Sequence, residues 1–341
     1  MPPLVTTVIP TFRRPGTLRR ALRSALAQTA AGIRILVLDD ASGDETEAVV
    51  RAFNDPRIEY RVQAENVGYA RNTALAVESV RTEYFSILAD DDLLLPDFHT
   101  LAVEALSRHP AADYCFGTVL AVDANGSARP GCTLRYQEGY HEQPRAFQAA
   151  VRNGHANWVG TLFRTRVLET VGPLDPARKA IDFDFQLRCA ALCNYVVIHA
   201  PVAVFTIHSG SISAGGDHAR LRDLIWPSTR DSIEKIRQER RIPEPARRHA
   251  CRVLRRGLAR QLFDLAARSA AEGDTAAIAG IHSILRDDLG ALDLAFALSL
   301  LCPLLRHRWL YEAARSVHHR VSGARHCQTL GCPLPGEPDS I

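Results

Sequence analysis

Three consecutive aspartates, Asp90, Asp91 and Asp92, follow the apolar run Ile87-Leu88-Ala89 and precede Leu93-Leu94-Leu95-Pro96. Adjacent like charges repel, and a buried carboxylate is costly unless it is paired. Three uses fit such a cluster. It can be a solvated loop that caps the next helix. It can hold a hard divalent cation, Mg2+ or Mn2+, whose coordination is completed by phosphate oxygens. It can do general acid/base work through paired carboxylates. A second acidic pair, Asp39-Asp40, ends the run Ile33–Leu38. Arg71 in ENVGYARN is a candidate contact for phosphate or for the acidic cluster. Asp182 opens a helical pattern in IDFDFQLR, as a base or as a helix N-cap. His208 follows an apolar strand pattern in FTIHSGSIS, as a ligand or as an ordinary surface or core histidine. A cation bridging carboxylates and a diphosphate neutralises charge on a phosphate leaving group, and that combination favours the metal use.

The elements that must position these groups alternate along the chain. Val5–Ile9, Ile33–Leu38, Ile58–Val62, Tyr84–Leu88 and Tyr114–Val122 read as strands. Between them lie helical patterns. The first has apolar positions at Leu18, Ala21, Leu22, Ala25 and Leu26, with Thr17 as its N-cap. The second is opened by Asp44 with Glu47 at capping-box spacing. The third lies in ENVGYARNTALAVESV, and the fourth is expected to start at Pro96. Asn125-Gly126 is a turn signal. This alternation predicts an α/β fold with a mainly parallel sheet flanked by helices. Ligands of such sheets bind beyond the carboxyl ends of the strands, so the two acidic clusters are expected to meet at one rim.

After residue 130 the pattern is mixed. Trp158–Phe163 is expected as a strand, Val167–Val171 as a short helix stopped by Gly172-Pro173, and Phe183–Leu192 as a helix. Tyr195–Phe205 reads as a strand pair broken near Pro201. Beyond Ala219 the chain reads as a helical appendage with Arg-rich faces. The expected domains are 1–218 (catalytic), 219–330 (helical) and 331–341 (a disordered tail).

Composition excludes several classes. The 341 residues are 46% hydrophobic and 23% charged, with a net charge of +3, which marks a globular chain without a nucleic-acid partner. The eight cysteines form no paired CxxC motifs, so reduced thiols are expected. The start MPPLVTTVIPTF lacks a secretory pattern, which gives a cytoplasmic expectation. The run Leu294–Leu305 contains Pro303 and falls short of the roughly 20 residues a spanning helix needs. Followed by Arg306, His307, Arg308 and Trp309, it suggests peripheral docking at the inner face of the cell membrane. The alternative is a helical cap packed on the catalytic domain. GxxxxGK[ST] and GxGxxG loops are both missing.

Seven segments, in order, resemble the family 2 inverting glycosyltransferases. They are VIPTFRRP (Val8–Pro15), VLDDASGDET (Val37–Thr46), ENVGYARN (Glu65–Asn72), ILADDDLLLP, VGPLD (Val171–Asp175), IDFDFQLR and IHSGSIS (Ile207–Ser213). The resemblance implies a GT-A fold and transfer of a sugar from a nucleotide-sugar, a UDP-sugar, to a hydroxyl of a glycan or lipid-linked acceptor. It implies help from Mn2+ or Mg2+. Pro10, Thr11 and Phe12 would line the nucleotide pocket, Asp40 would bond the base, Arg71 would lie near the pyrophosphate or uracil, and Asp90 would approach the ribose. Asp91 would bind the metal, His208 would add a metal or diphosphate contact, and Asp182 would be the catalytic base. Three positions depart from the family pattern: Ala89 and Ile181 stand where acids are usual, and Arg13 replaces an asparagine. They motivate the alternative of a catalytically silent nucleotide-sugar-binding protein on the same fold. A nucleotidylyltransferase is disfavoured, because TFRRPGTLRR holds a single glycine.

Overall fold

The computed structural model describes residues 4–30, 32–123, 126–130, 132–154, 156–207, 226–288, 291 and 295. Its strands are β1 (Val5–Thr11), β2 (Ile33–Asp39), β3 (Ile58–Val62), β4 (Tyr84–Ile87), β5 (Leu93–Leu94), β6 (Tyr114–Val122), β7 (Ala128–Pro130), β8 (Gly139–His141), β9 (Thr161–Arg164) and β10 (Tyr195–Thr206). Its α-helices are α1 (Pro15–Leu26), α2 (Thr46–Arg51), α3 (Tyr69–Glu78), α4 (Phe98–Arg108), α5 (Arg145–Asn153), α6 (Val167–Val171), α7 (Ile181–Leu192), α8 (Trp226–Gln238), α9 (Glu244–Glu272) and α10 (Thr275–Ser283).

All ten strands join one sheet in the order β3-β2-β1-β4-β9-β6-β10-β5, with β7 beside β6 and β8 beside β10. The β3-β2-β1-β4 half is entirely parallel. The other half is mixed: β9 runs antiparallel between β4 and β6, while β6 and β10 are parallel. Helices cover both faces, which explains why the strands read as unbroken apolar runs. Within β2, Ile33, Ile35 and Val37 enter the core beside Leu18, Leu22, Phe98 and Leu106. Leu36 and Leu38 enter the opposite core, beside Val77 and Phe185. Successive side chains of a strand point to opposite faces, so one run feeds both cores.

Several boundaries differ from the sequence expectation. Helix α1 begins at Pro15 with Arg14 as its N-cap, so Thr17 lies inside the first turn and its hydroxyl donates to the Arg14 carbonyl at 3.3 Å. A proline at the first helical position needs no N–H partner, and that moves the start upstream. Helix α2 starts at Thr46, whose N–H Asp44 accepts at 2.9 Å, while Glu47 pairs with Arg51 instead of closing a capping box. Pro96 precedes α4 without opening it. Leu93–Leu94 first pairs with β10, and the helix starts at Phe98. Trp158–Gly160 is a 3-10 turn ahead of β9. Tyr195–Thr206 is one strand with register shifts between Val197 and Ala203. Gly117 lies opposite this irregular stretch, where a Cβ would sit 2.4 Å from the Val202 side chain.

The chain divides into two compact units, residues 1–255 and 256–341, and the division falls within α9. Within the first unit, α8 buries Trp226, Ile233 and Ile236. Among the described residues, no helix is long and apolar enough to cross a membrane. The expected docking run at Leu294–Leu305 and the tail lie outside the described residues, except for Ala295.

Candidate functional site

The carboxyl ends of β1, β2 and β4 bring the first motifs to one rim. At the end of β1, Thr11 donates its hydroxyl to Asp90 Oδ2 at 2.8 Å. Pro10 is buried, and the next ring, Phe12, is 38% exposed. Arg13 then adopts a left-handed φ of 52°, and Ala41 does the same in the facing turn at 59°. Each costs roughly 1–2 kcal/mol for a residue with a Cβ. Ser42 holds the two turns together. It accepts the Arg13 N–H at 2.8 Å and its carbonyl accepts Arg13 Nε at 3.1 Å. The Arg13 guanidinium lies 5.1 Å over the Phe12 ring centroid.

The acidic pair at the end of β2, Asp39 and the residue after the strand, Asp40, is committed to the scaffold. Asp39 accepts the Ser42 N–H at 3.0 Å, the Ser42 hydroxyl at 2.5 Å and the Tyr60 hydroxyl at 2.6 Å. Asp40 accepts the Val67 N–H at 2.7 Å and the Gly68 N–H at 2.9 Å, one on each oxygen. It thereby fixes the loop that starts α3, where Gly68 has φ 86°. A base-binding role for Asp40 has only its remaining lone pairs to use. Arg71, in the first turn of α3, is exposed and makes no hydrogen bond or ion pair among the described residues.

The aspartate triplet occupies the turn after β4, and its members differ. Asp90 is 6% exposed and Asp92 is 2% exposed. Burial pushes the Asp90 carboxyl up to about 6, against the Thr11 hydrogen bond and the Arg14 charge. Asp92 accepts the Thr206 N–H of β10 at 2.8 Å. Burial holds its carboxyl well above the ordinary range, opposed by the Thr206 bond and reinforced by Asp91 and Asp90. Asp92 is therefore a buried tie between the turn and β10. Arg14, which the sequence reading passed over, bridges the other two: its Nη1 lies 2.7 Å from Asp91 and 3.3 Å from Asp90.

Tyr69 stands beside this cluster, 42% exposed, with its ring edge-on to Trp158 at 6.4 Å. Its phenol is raised well above its ordinary value by desolvation, then by Asp182, Asp92, Asp90 and Asp91. Asp182 lies in the first turn of α7, half-buried, with Ala180 as the N-cap. It is not the cap, and the helix dipole favours a carboxylate there. Among the described residues it makes no hydrogen bond or ion pair. Ile181, where an acid is usual, is 0% exposed and fills the core.

Two residues further along, Asp184 is a different kind of acid. It is 1% exposed and pairs with Arg188 Nε at 2.9 Å, Ser232 Oγ at 2.9 Å and Lys235 Nζ at 3.4 Å. Lys235 also reaches Asp175 at 3.0 Å, and Arg178 joins Asp175 to Asp231. This network binds α7 to α8. Its one trace in the sequence is the i,i+4 spacing of Asp184 and Arg188. His208 lies outside the described residues.

The divalent ion implied by the sequence can be weighed against the donors present. Among the described residues, no three His, Cys, Asp or Glu side chains form a metal-holding cluster. Asp90 and Asp91 do supply adjacent hard oxygens. That suits Mg2+ or Mn2+ held by one or two carboxylates with phosphate oxygens completing the sphere.

Comparisons with known proteins follow the same lines. An uncharacterized glycosyltransferase of Rickettsia typhi is 36% identical over 95 residues, 28% of this chain and 29% of that protein. The succinoglycan biosynthesis protein ExoO of Rhizobium meliloti is 34% identical over 95 residues, 28% of this chain and 27% of that protein. The chain thus matches less than a third of the length of these relatives. The crystal structure of S. aureus TarS in complex with UDP-GlcNAc superposes with a TM-score of 0.62 at 15% identity, covering 92% of each chain. The mannosyltransferase PcManGT of Pyrobaculum calidifontis, in complex with GDP-Man and Mn2+, gives a TM-score of 0.55 at 19% identity over 89% of this chain and 87% of that one. At such identities these two likenesses establish the fold. The family model for glycosyl transferase family 2 matches residues 6–172, just under half of the chain, a segment that holds β2 to β4, all but the first residue of β1, the aspartate triplet and Tyr69.

Proposed function

We propose that this chain is an inverting glycosyltransferase. It moves a sugar from a nucleotide-sugar, a UDP-sugar, to a hydroxyl of a glycan or lipid-linked acceptor in polysaccharide biosynthesis. The observation that carries this reading is the rim after β1 and β4, where Thr11 and Arg14 contact Asp90 and Asp91 inside the segment that matches glycosyl transferase family 2. The ligands of the two structural neighbours and the succinoglycan relative support the donor class and the pathway class. A lipid-linked acceptor would place the protein at the inner face of the membrane.

The roles divide between two sides of the rim. Pro10, Thr11, Phe12, Asp40, Arg71 and Asp90 receive the nucleotide. The exposed Phe12 ring offers a face to the base, and Arg71 offers positive charge to the diphosphate. Asp91 would hold Mn2+ or Mg2+, with His208 as a further contact. When bound, such an ion neutralises charge on the departing diphosphate. Asp182 takes the proton of the acceptor hydroxyl. That oxygen bonds to the anomeric carbon from the face opposite the donor's C–O bond. The C–O bond breaks, and its electron pair leaves on the nucleoside diphosphate. One such displacement inverts the anomeric configuration.

A second reading, a silent nucleotide-sugar-binding protein, is favoured by Ala89 and by the fully buried Ile181. A UDP-sugar panel with Mn2+ separates the two. Nucleoside diphosphate release by the wild type, lost in Asp182→Asn and Asp91→Ala, supports transfer. Equal inertness of all three, with donor binding retained, supports the silent protein. Pyrophosphate release in a parallel assay with UTP and a sugar 1-phosphate would instead mark a nucleotidylyltransferase.

A further inference from the structure

We infer that Arg14 is a built-in counter-cation that holds the Asp90–Asp91 pair in the ligand-free protein and competes with the divalent ion for it. The inference rests on the metal-assisted reading above. Its first support is geometry: one nitrogen, Nη1, contacts both carboxylates, at 2.7 Å to Asp91 and 3.3 Å to Asp90. The second is how firmly the backbone around Arg14 is set. Arg13 is pinned to Ser42 by its N–H and its Nε. On the other side Pro15 opens α1, and the Arg14 carbonyl accepts the Leu18 N–H at 3.0 Å. The stem of the side chain therefore leaves a fixed point, and the charge it carries is held at the acids.

The third support is the difference in exposure across the pair. The Arg14 side chain is 39% exposed, whereas those of Asp90 and Asp91 are 8% and 14% exposed. The acids are enclosed and the cation is on the solvent side, so Arg14 can leave without dragging the carboxylates out. An incoming divalent ion carries twice its charge and would draw on the same two carboxylates. Contact of both cations with one carboxylate oxygen is disfavoured by their mutual repulsion. Arg14 would then turn toward the diphosphate, which guanidinium groups recognise well. Its place in the site is thus that of a positioning residue, with an effect on ion affinity opposite in sign to that of a ligand.

The test is Mn2+ titration of the nucleotide-free full chain, followed by calorimetry and by the spin-resonance signal of unbound Mn2+. Removing a partly exposed competitor, as in Arg14→Gln, is expected to tighten Mn2+ binding about two- to five-fold, the size of such an ion pair. Arg14→Lys keeps a charge and is expected to stay nearer the wild type. Asp91→Asn should lose Mn2+ binding in either background. Circular dichroism confirms that each variant is folded. Unchanged or weaker binding by a folded Arg14→Gln overturns the inference and leaves the metal-assisted reading standing. Absence of Mn2+ binding in wild type and Arg14→Gln alike, with and without UDP, overturns both.

Discussion

Two regions of the rim carry carboxylates, and they are built on opposite plans. On the β1–β4 side, Asp39, Asp40, Asp90 and Asp92 are all buried and all bonded to N–H or hydroxyl donors. On the α7 side, Asp182 is half-buried and makes no hydrogen bond or ion pair among the described residues. The contrast fits the two tasks proposed above. A surface that receives a charged donor gains from preorganised groups that need no rearrangement. A base must have an open lone pair to accept a proton. On α7 both kinds of acid occur two residues apart, since Asp184 is enclosed by Arg188, Ser232 and Lys235.

The sharpest way to break this contrast is Asp182→Asn. Loss of a general base is worth roughly 10²–10⁴-fold in rate. Transfer should fall by that factor, while the melting temperature and donor affinity stay close to wild type. A loss of stability with no loss of rate would move Asp182 to the scaffold. Asp184→Ala is the mirror experiment. Removing one partner of a buried ion pair costs roughly 3–5 kcal/mol, so urea unfolding should shift to much lower denaturant. A variant as stable as wild type would show that the α7–α8 network carries little.

The donor side can be tested through pH. The folded-state carboxyl of Asp90 lies near 6, above an unfolded value of about 3.8. An acid raised on folding favours the folded state when protonated. Its contribution is fully present below about 3.8, is lost as pH rises toward 6, and remains absent above. Asp90→Asn, which has no charge to bury, should therefore gain on wild type across that window, by about 2–3 kcal/mol at most. The gain is reduced by whatever the amide loses with Thr11 and Arg14. Thermal unfolding of both proteins from pH 4 to 7, without metal or nucleotide, checks the direction. A difference that is flat with pH would mean that Asp90 is not held protonated by burial.

The parallel half of the sheet and its rim were legible because each strand is a local apolar run and each acidic motif sits where that run stops. β6 and α6 were read to the residue. What escaped depends on partners distant in sequence. Pro96 fails to open a helix because Leu93–Leu94 is taken by β10, more than a hundred residues away. Three identical aspartates give no local sign of which one turns inward. Asp92 is buried because Thr206 offers it an N–H. Arg14 sits inside a quoted motif, yet its contact with Asp90 and Asp91 exists only once β1 and β4 are paired. The Lys235 contact with Asp184 likewise needs α8 folded against α7.

The smallest effect is expected at Ser42, where the preorganised side of the contrast can be loosened without touching a charge. Ser42 is 1% exposed, donates to Asp39 and accepts the Arg13 N–H. Ser42→Ala leaves that N–H without its partner, at a cost of about 1–2 kcal/mol. The larger consequence is geometric. Arg13 holds a left-handed φ of 52° beside Phe12, and the Ser42 hydroxyl is one of two bonds that keep it there. Relaxation of that turn would carry Phe12 with it and let Thr11 shift from Asp90. Donor KM should then rise several-fold while kcat changes little, because Asp182 sits on a separate helix. A fall in kcat with unchanged KM would show that the two sides of the rim are not independent.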